Sequence, residues 1–243
     1  MHQAAASRVE RLERGIALFD DDRPLLWDLN LLWIDASADA SARDLVADAE
    51  RVQGAAQLGH RRVVVGQEAD WRPLVGAFAD AGYELEVHVF LAHRRPADRL
   101  VDTARVEETG VAELAPAMER YFASEPWGRD PETRRQLLEH NVTYAGTVRE
   151  RCFVVRGAGG IVAYCKLWSA GGTAQIEDVV VLAEARGRGL GRAVVTGALN
   201  TALALEPELT FIVADDGDWP KLLYAKLGFE PIGRMGLFTR RRV

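Results

Sequence analysis

Cysteine, lysine and long apolar runs are all scarce in this chain, and each scarcity closes off a class of protein. Cys152 and Cys165 are the two cysteines, both inside apolar strand-like segments, which argues against a disulfide-framed secreted scaffold and for reduced core residues. Lysine is confined to Lys166, Lys221 and Lys226, so nearly all basic residues are arginine; with abundant alanine, this usage fits a GC-rich bacterial genome. No apolar run approaches the roughly 18 residues of a membrane span, and the N-terminus lacks a signal-peptide apolar core, so a cytoplasmic protein without membrane contact is expected. The formal charge of −6 argues against nucleic acid as the main partner. His2, His60, His88, His93 and His140 are scattered without metal spacing, and Gly-x-Ser-x-Gly is absent, so neither a metal site nor a serine-hydrolase elbow is expected.

What the chain does have is apolar content, 48% over 243 residues, enough for one large domain or two small ones. Its most informative stretch is 176–191. A β-branched run from Ile176 to Val181 reads as a buried strand and ends in a segment holding Gly187, Gly189 and Gly191. Beyond it, Leu190, Val194, Val195, Ala198, Leu199, Ala202 and Leu203 recur at helical spacing. Strand, glycine turn, helix is an anion-binding arrangement, because glycine admits positive φ and close approach while a helix start offers unpaired N–H groups. The spacing fits neither the dinucleotide fingerprint Gly-x-Gly-x-x-Gly nor the P-loop, which needs Lys then Ser or Thr after its second glycine.

Two ordered motifs carry a family resemblance. Arg186-x-x-Gly189-x-Gly191, set between a strand and a helix, resembles the acyl-CoA signature of the GNAT superfamily of N-acyltransferases. Downstream, Leu209 to Val213 reads as a strand and Trp219 to Leu227 as a helix closed by Gly228. There Tyr224-Ala225-Lys226-Leu227-Gly228-Phe229 resembles the family segment in which a tyrosine precedes Lys-Leu-Gly-Phe. The resemblance implies an α/β fold of the α+β mixed-sheet kind, GNAT-type, with acetyl-CoA (coenzyme A) as cofactor.

Residue by residue, the resemblance implies that pantetheine lies along Val179, Val180 and Val181, and that the backbone of Arg186, Gly187, Arg188, Gly189, Leu190, Gly191 and Arg192 holds the pyrophosphate. Asp216 stands near the position where the family often has a pantetheine-contacting asparagine. Tyr224 is the candidate general acid, its phenol well matched to a departing thiolate. Its other reading is a core aromatic on an amphipathic helix. Glu177 is the candidate base because it interrupts an apolar strand beside the expected acyl group; structural ion pairing of Glu177 or Asp178 is the alternative. Strand alternation would let one of this pair face the cleft, and Asp178 is the candidate acceptor-binding member. Trp127 and Trp168 are candidate acceptor-pocket residues, with plain packing as the other reading.

Upstream, 3–18 has helical periodicity through Val9, Leu12 and Ile16. Strand-like stretches follow in 24–35, then a helix over 41–58, a strand over 62–65, a helix over 71–81 ending at Gly82, and a strand over 84–92. This series repeats the C-terminal one: Asp70-Trp71 matches Asp218-Trp219, Gly82-Tyr83-Glu84 matches Gly228-Phe229-Glu230, and Arg94-Arg95 matches Arg240-Arg241. The N-terminal part therefore resembles a partial GNAT-like unit that lacks Arg-x-x-Gly-x-Gly and has Phe78 at the tyrosine position. The expected organisation is a degenerate unit over 1–95, a linker over 96–102 and a catalytic unit over 103–243. Within the latter, a strand near 104–108 precedes helices over 111–122 and 131–141, then strands over 151–156 and 161–168 around a glycine turn.

The expected function is acetyl transfer from acetyl-CoA to a primary amine of a small molecule, by direct attack in a ternary complex. The alternative is a silent acyl-CoA-binding regulatory protein. A monomer or homodimer is expected.

Overall fold

The computed structural model describes residues 6–35, 40–145 and 148–241. These fold into two compact units, the first from the described residues of Met1–Val89, Asp215–Asp218 and Ile232–Val243, the second from Phe90–Ala214 and Trp219–Pro231.

In the first unit, β1 (Arg8–Leu12) and β2 (Gly15–Phe19) form an antiparallel hairpin with Leu12 opposite Gly15. The helix expected over 3–18 is therefore wrong for its described part, residues 3–5 lying outside the described residues. Val9, Leu12 and Ile16 fall at helical intervals by coincidence, whereas Ala17, Leu18 and Phe19 are a continuous buried run. β2 pairs with β3 (Leu31–Ile34), β3 runs parallel to β4 (His60–Val65), and β4 pairs with the end of β11 (Phe229–Arg241). The parallel pair needs a crossover, supplied by α1 (Ala42–Ala55), which opens with a reciprocal Ser41–Asp44 capping box. The expected helix over 71–81 is instead α2 (Glu68–Trp71), a 3-10 turn through Pro73, and α3 (Val75–Asp80), since proline cannot donate within a continuous helix. One core joins these elements, with Phe78 stacked 4.1 Å from Phe238 and edge-on to Tyr83.

β5 (Glu84–His93) and β11 contribute residues to both units. The second unit otherwise comprises β6 (Glu107–Thr109), α4 (Val111–Ser124), α5 (Pro131–Ala145), β7 (Arg149–Gly157), β8 (Gly160–Ala170), β9 (Thr173–Val181), α6 (Leu190–Leu203), β10 (Leu209–Asp215) and α7 (Pro220–Lys226). Its strands follow the order β10-β9-β8-β7-β6, with β9 and β10 parallel and the others antiparallel. Leu114, Met118 and Phe122 of α4 pack with Cys152, Val154, Tyr164 and Val180 on one sheet face. On α6's side, the Cys165 thiol donates to the Val194 carbonyl at 3.3 Å. Both cysteines are free and buried, and burial pushes the Cys152 thiol up to about 12, so they are inert core residues.

The repeat is visible in the order strand, helix, parallel strand, short helices, strand, which runs β3 to β5 and again β9 to β11. Gly82 and Gly228 end the corresponding helices with φ of +80° and +91°, the left-handed closure glycine permits. Among the described residues, no helix is long and apolar enough to cross a membrane.

Candidate functional site

β9 and β10 pair only from Thr173–Ile176 against Leu209–Ile212 and then separate, although both strands continue. On its other side β9 stays paired with β8 as far as Val181 opposite Ala163. The outer backbone edge of 177–181 therefore has no strand neighbour among the described residues, and it includes Val179, Val180 and Val181. An extended amide-bearing arm can pair along such an edge as an added strand.

The strand leads through Leu182 and a 3-10 turn at Ala183–Ala185 into the glycine segment. Gly187 and Gly189 both have φ of +75°, and Gly189 is the left-handed N-cap of α6. No side chain caps that helix, so the N–H groups of Leu190, Gly191 and Arg192 in its first turn remain available as donors at the positive end of a 14-residue dipole. A Cβ at Gly191 would lie 3.4 Å from Val181 Cγ2, an ordinary van der Waals contact, so the helix start packs against β9 there without requiring a glycine. These donors and the open strand edge fit the diphosphate and the amide arm of coenzyme A.

The arginines divide. Arg186 and Arg188 are exposed, Arg186 donating to the Val181 carbonyl at 3.2 Å. Arg192 is buried, and its guanidinium lies 2.7 Å from Asp98, so its side chain is committed within the unit. Asp216 belongs to the other unit, where Arg234 holds it at 2.8 Å and its N–H donates to the Val87 carbonyl.

Tyr224 lies on α7 in the same unit as the glycine turn, 5% exposed, with its ring edge-on to Phe229. Trp127 is exposed and packs edge-on to Tyr121, between α4 and α5. Trp168 is half-buried and donates its indole N–H to Glu150 at 2.7 Å.

Glu177 and Asp178 do not alternate as a regular strand requires. Tyr164 faces Val180 and Lys166 faces Glu177, so Asp178 and Val179 together oppose Cys165. This is a β-bulge, with Asp178 at φ +50°. The extra residue brings both carboxylates to bear on Lys166, the cross-strand neighbour of Glu177, whose Nζ lies 2.9 Å from Asp178 Oδ2. Burial first, then the Asp178 carboxylate, pushes the Glu177 carboxyl up to about 8, despite a hydrogen bond from the Gln175 amide.

Lys166, Glu150 and Asn141 have no role among the sequence-based expectations. Lys166 is fully buried, with Glu150 Oε2 at 3.8 Å and Asn141 Oδ1 in hydrogen-bond contact. A lysine inside the apolar run 161–168 is the signal that could have found them, since a buried ammonium must find anionic partners.

Residues 148–231 match the family described as an acetyltransferase (GNAT) domain, so the chain carries a GNAT-superfamily domain over that segment. Three solved structures place the fold. A conserved protein of unknown function from Staphylococcus epidermidis is 15% identical with a TM-score of 0.75, over 98% of this chain and 95% of that one. A GCN5-related N-acetyltransferase from Kribbella flavida is 19% identical with a TM-score of 0.64, over 98% and 91%. A tandem GNAT protein from the clavulanic acid biosynthesis pathway is 19% identical with a TM-score of 0.56, over 87% and 74%. No curated protein matches the chain. The fold is thus GNAT-type, with a partial N-terminal GNAT-like repeat.

Proposed function

We propose that the chain is an acetyl-CoA-dependent N-acetyltransferase acting on a primary amine of a small molecule, with 103–243 carrying the reaction. In this reading 1–95 is a degenerate unit and 96–102 a linker. The observation that carries it is the parting of β9 from β10 beside an uncapped, glycine-lined helix start.

Acetyl-CoA supplies an acyl group already activated as a thioester. Backbone N–H groups from Gly189 to Arg192 receive the diphosphate, and the free edge of Val179 to Val181 receives the amide arm. Glu177 takes a proton from the acceptor ammonium, directly or through one water, leaving the nitrogen lone pair free to attack. A carboxyl held near 8 is a better match to an amine than an ordinary carboxylate. The Tyr224 hydroxyl gives a proton to the sulfur as the carbon–sulfur bond breaks. Once bonded to the carbonyl carbon, the nitrogen gives its second proton to the Tyr224 oxygen and restores the phenol; the ammonium thus exchanges two protons for the acetyl group, one held by Glu177 and one carried off by the neutral thiol.

The test joins calorimetric titration with acetyl-CoA to a thiol-release assay over a panel of amines. Binding with amine-dependent release supports the enzyme. Binding with no release from any amine would favour a silent acyl-CoA-binding protein, and absence of binding would remove both.

A further inference from the structure

The described carboxylates on the α5-covered face of β7 to β9 outnumber the cations. Glu150 and Asp178 stand against one ammonium, Lys166, and Glu177, its carboxyl pushed up to about 8, adds a third negative charge as pH rises. Three neutral groups add hydrogen bonds: Asn141 on Lys166, Gln175 on Glu177 and Trp168 on Glu150. Lys166 cannot serve an incoming anion. Its side chain is 1% exposed, and its charge is spent on Asp178 and Glu150.

The two partners of Lys166 differ in reach. The Glu150 side chain is 4% exposed, whereas that of Asp178 is 42% exposed. Asp178 offers one oxygen to Lys166, and its Oδ1 meets no donor among the described residues. The bulge sets this open oxygen one residue from Glu177, the group read here as the base. A visitor to this face therefore meets an accessible carboxylate beside the proton acceptor, and the Lys166 ammonium there is already paired.

We infer that the acceptor is a cationic amine bearing a second positive group, an α,ω-diamine type rather than an amino acid or phosphorylated amine, with Asp178 receiving the group that does not react. The inference deepens the acetyl-transfer reading and rests on it. An anionic substituent would face Asp178 and Glu150 without a partner, a like-charge cost that selects against it. A second ammonium gains a charge-assisted hydrogen bond to Asp178 and offsets the repulsion that builds between Asp178 and Glu177 as Glu177 ionises.

The experiment compares 1,4-diaminobutane, butylamine and 4-aminobutyrate, equal in chain length and differing in terminal charge, by thiol release at saturating acetyl-CoA. Expected is a kcat/KM for the diamine about tenfold or more above butylamine, with 4-aminobutyrate lowest. Asp178→Asn should reduce the diamine-to-butylamine ratio toward one, the change appearing mainly in KM. Equal rates, or a preference for 4-aminobutyrate, would overturn the charge inference and leave acetyl transfer standing. The wild-type ranking decides even where the variant fails to fold. Were no amine turned over, acetyl transfer itself would fail. Calorimetry with 1,4-diaminobutane would then decide the cation site: binding weakened in Asp178→Asn keeps it, and no binding ends it.

Discussion

Gly228 lies so close to Arg95 that a Cβ built on it would sit 1.8 Å from the Arg95 carbonyl oxygen. The same carbonyl-rich corner is drawn in further by the N–H groups of Arg94 and Arg95, which both donate to the Gly228 carbonyl. With φ at +91°, the position is closed to side chains by space and by conformation. Gly228→Ala should cost at least about 2 kcal/mol of stability, measured as a lower urea midpoint with unchanged slope. A midpoint within error of wild type would show that this corner yields.

Tyr224→Phe removes one hydroxyl from a buried ring whose edge contact with Phe229 can persist. Under the acid role, kcat should fall by about 10²–10⁴-fold while acetyl-CoA affinity and the circular dichroism spectrum stay put. An undiminished kcat would make the tyrosine a packing residue.

Glu177 gives the reaction a pH signature. Its carboxyl is raised from 4.5 to about 8, so the ionised form needed for proton abstraction accumulates as pH climbs through 8. With acceptor saturating, kcat should rise across pH 7 to 9, whereas an unshifted glutamate would already be level above about pH 6. Glu177→Gln should abolish that rise along with most of the rate. A flat wild-type profile would remove Glu177 from the base role.

His60 controls a different pH response, in the first unit. It is buried, its Nε2 lies 2.8 Å from the Asn30 carbonyl, and burial lowers it from 6.5 to about 4. Arg61 and Arg62 push the same way. Between those values the unfolded chain binds a proton that the folded chain does not, so the stability contributed by neutral His60 is present above pH 6.5 and lost as pH falls toward 4. Melting curves from pH 7.5 to 4.5 should show this loss, and His60→Gln should flatten it while lowering the starting value. Parallel curves for the two proteins would contradict the assignment.

What can be read from the residues alone follows from how local the determinants are. The strand, glycine turn and helix of 173–203 are contiguous, and β-branched composition, positive-φ glycines and helical spacing each speak within a few residues. The hairpin at 8–19 escapes such a reading because Val9, Leu12 and Ile16 satisfy a helical period, while what settles the matter is pairing with β3. The chemistry around Lys166 is invisible for a related reason. Its partners Asn141, Glu150 and Asp178 come from three other elements, and the bulge that breaks alternation at Asp178 leaves no mark in composition. Arg192 carries the same lesson, since its partner Asp98 is remote in sequence.

The fork after Ile176 and Ile212 also bears on how long the folded molecule survives. A sheet that opens midway keeps main-chain groups that no neighbouring strand satisfies, and a guest lying there as a surrogate strand would suture the seam. Resistance to heat and to proteolysis should then climb with the logarithm of guest concentration, linking the lifetime of the fold to the cell's supply of the molecule that fills it.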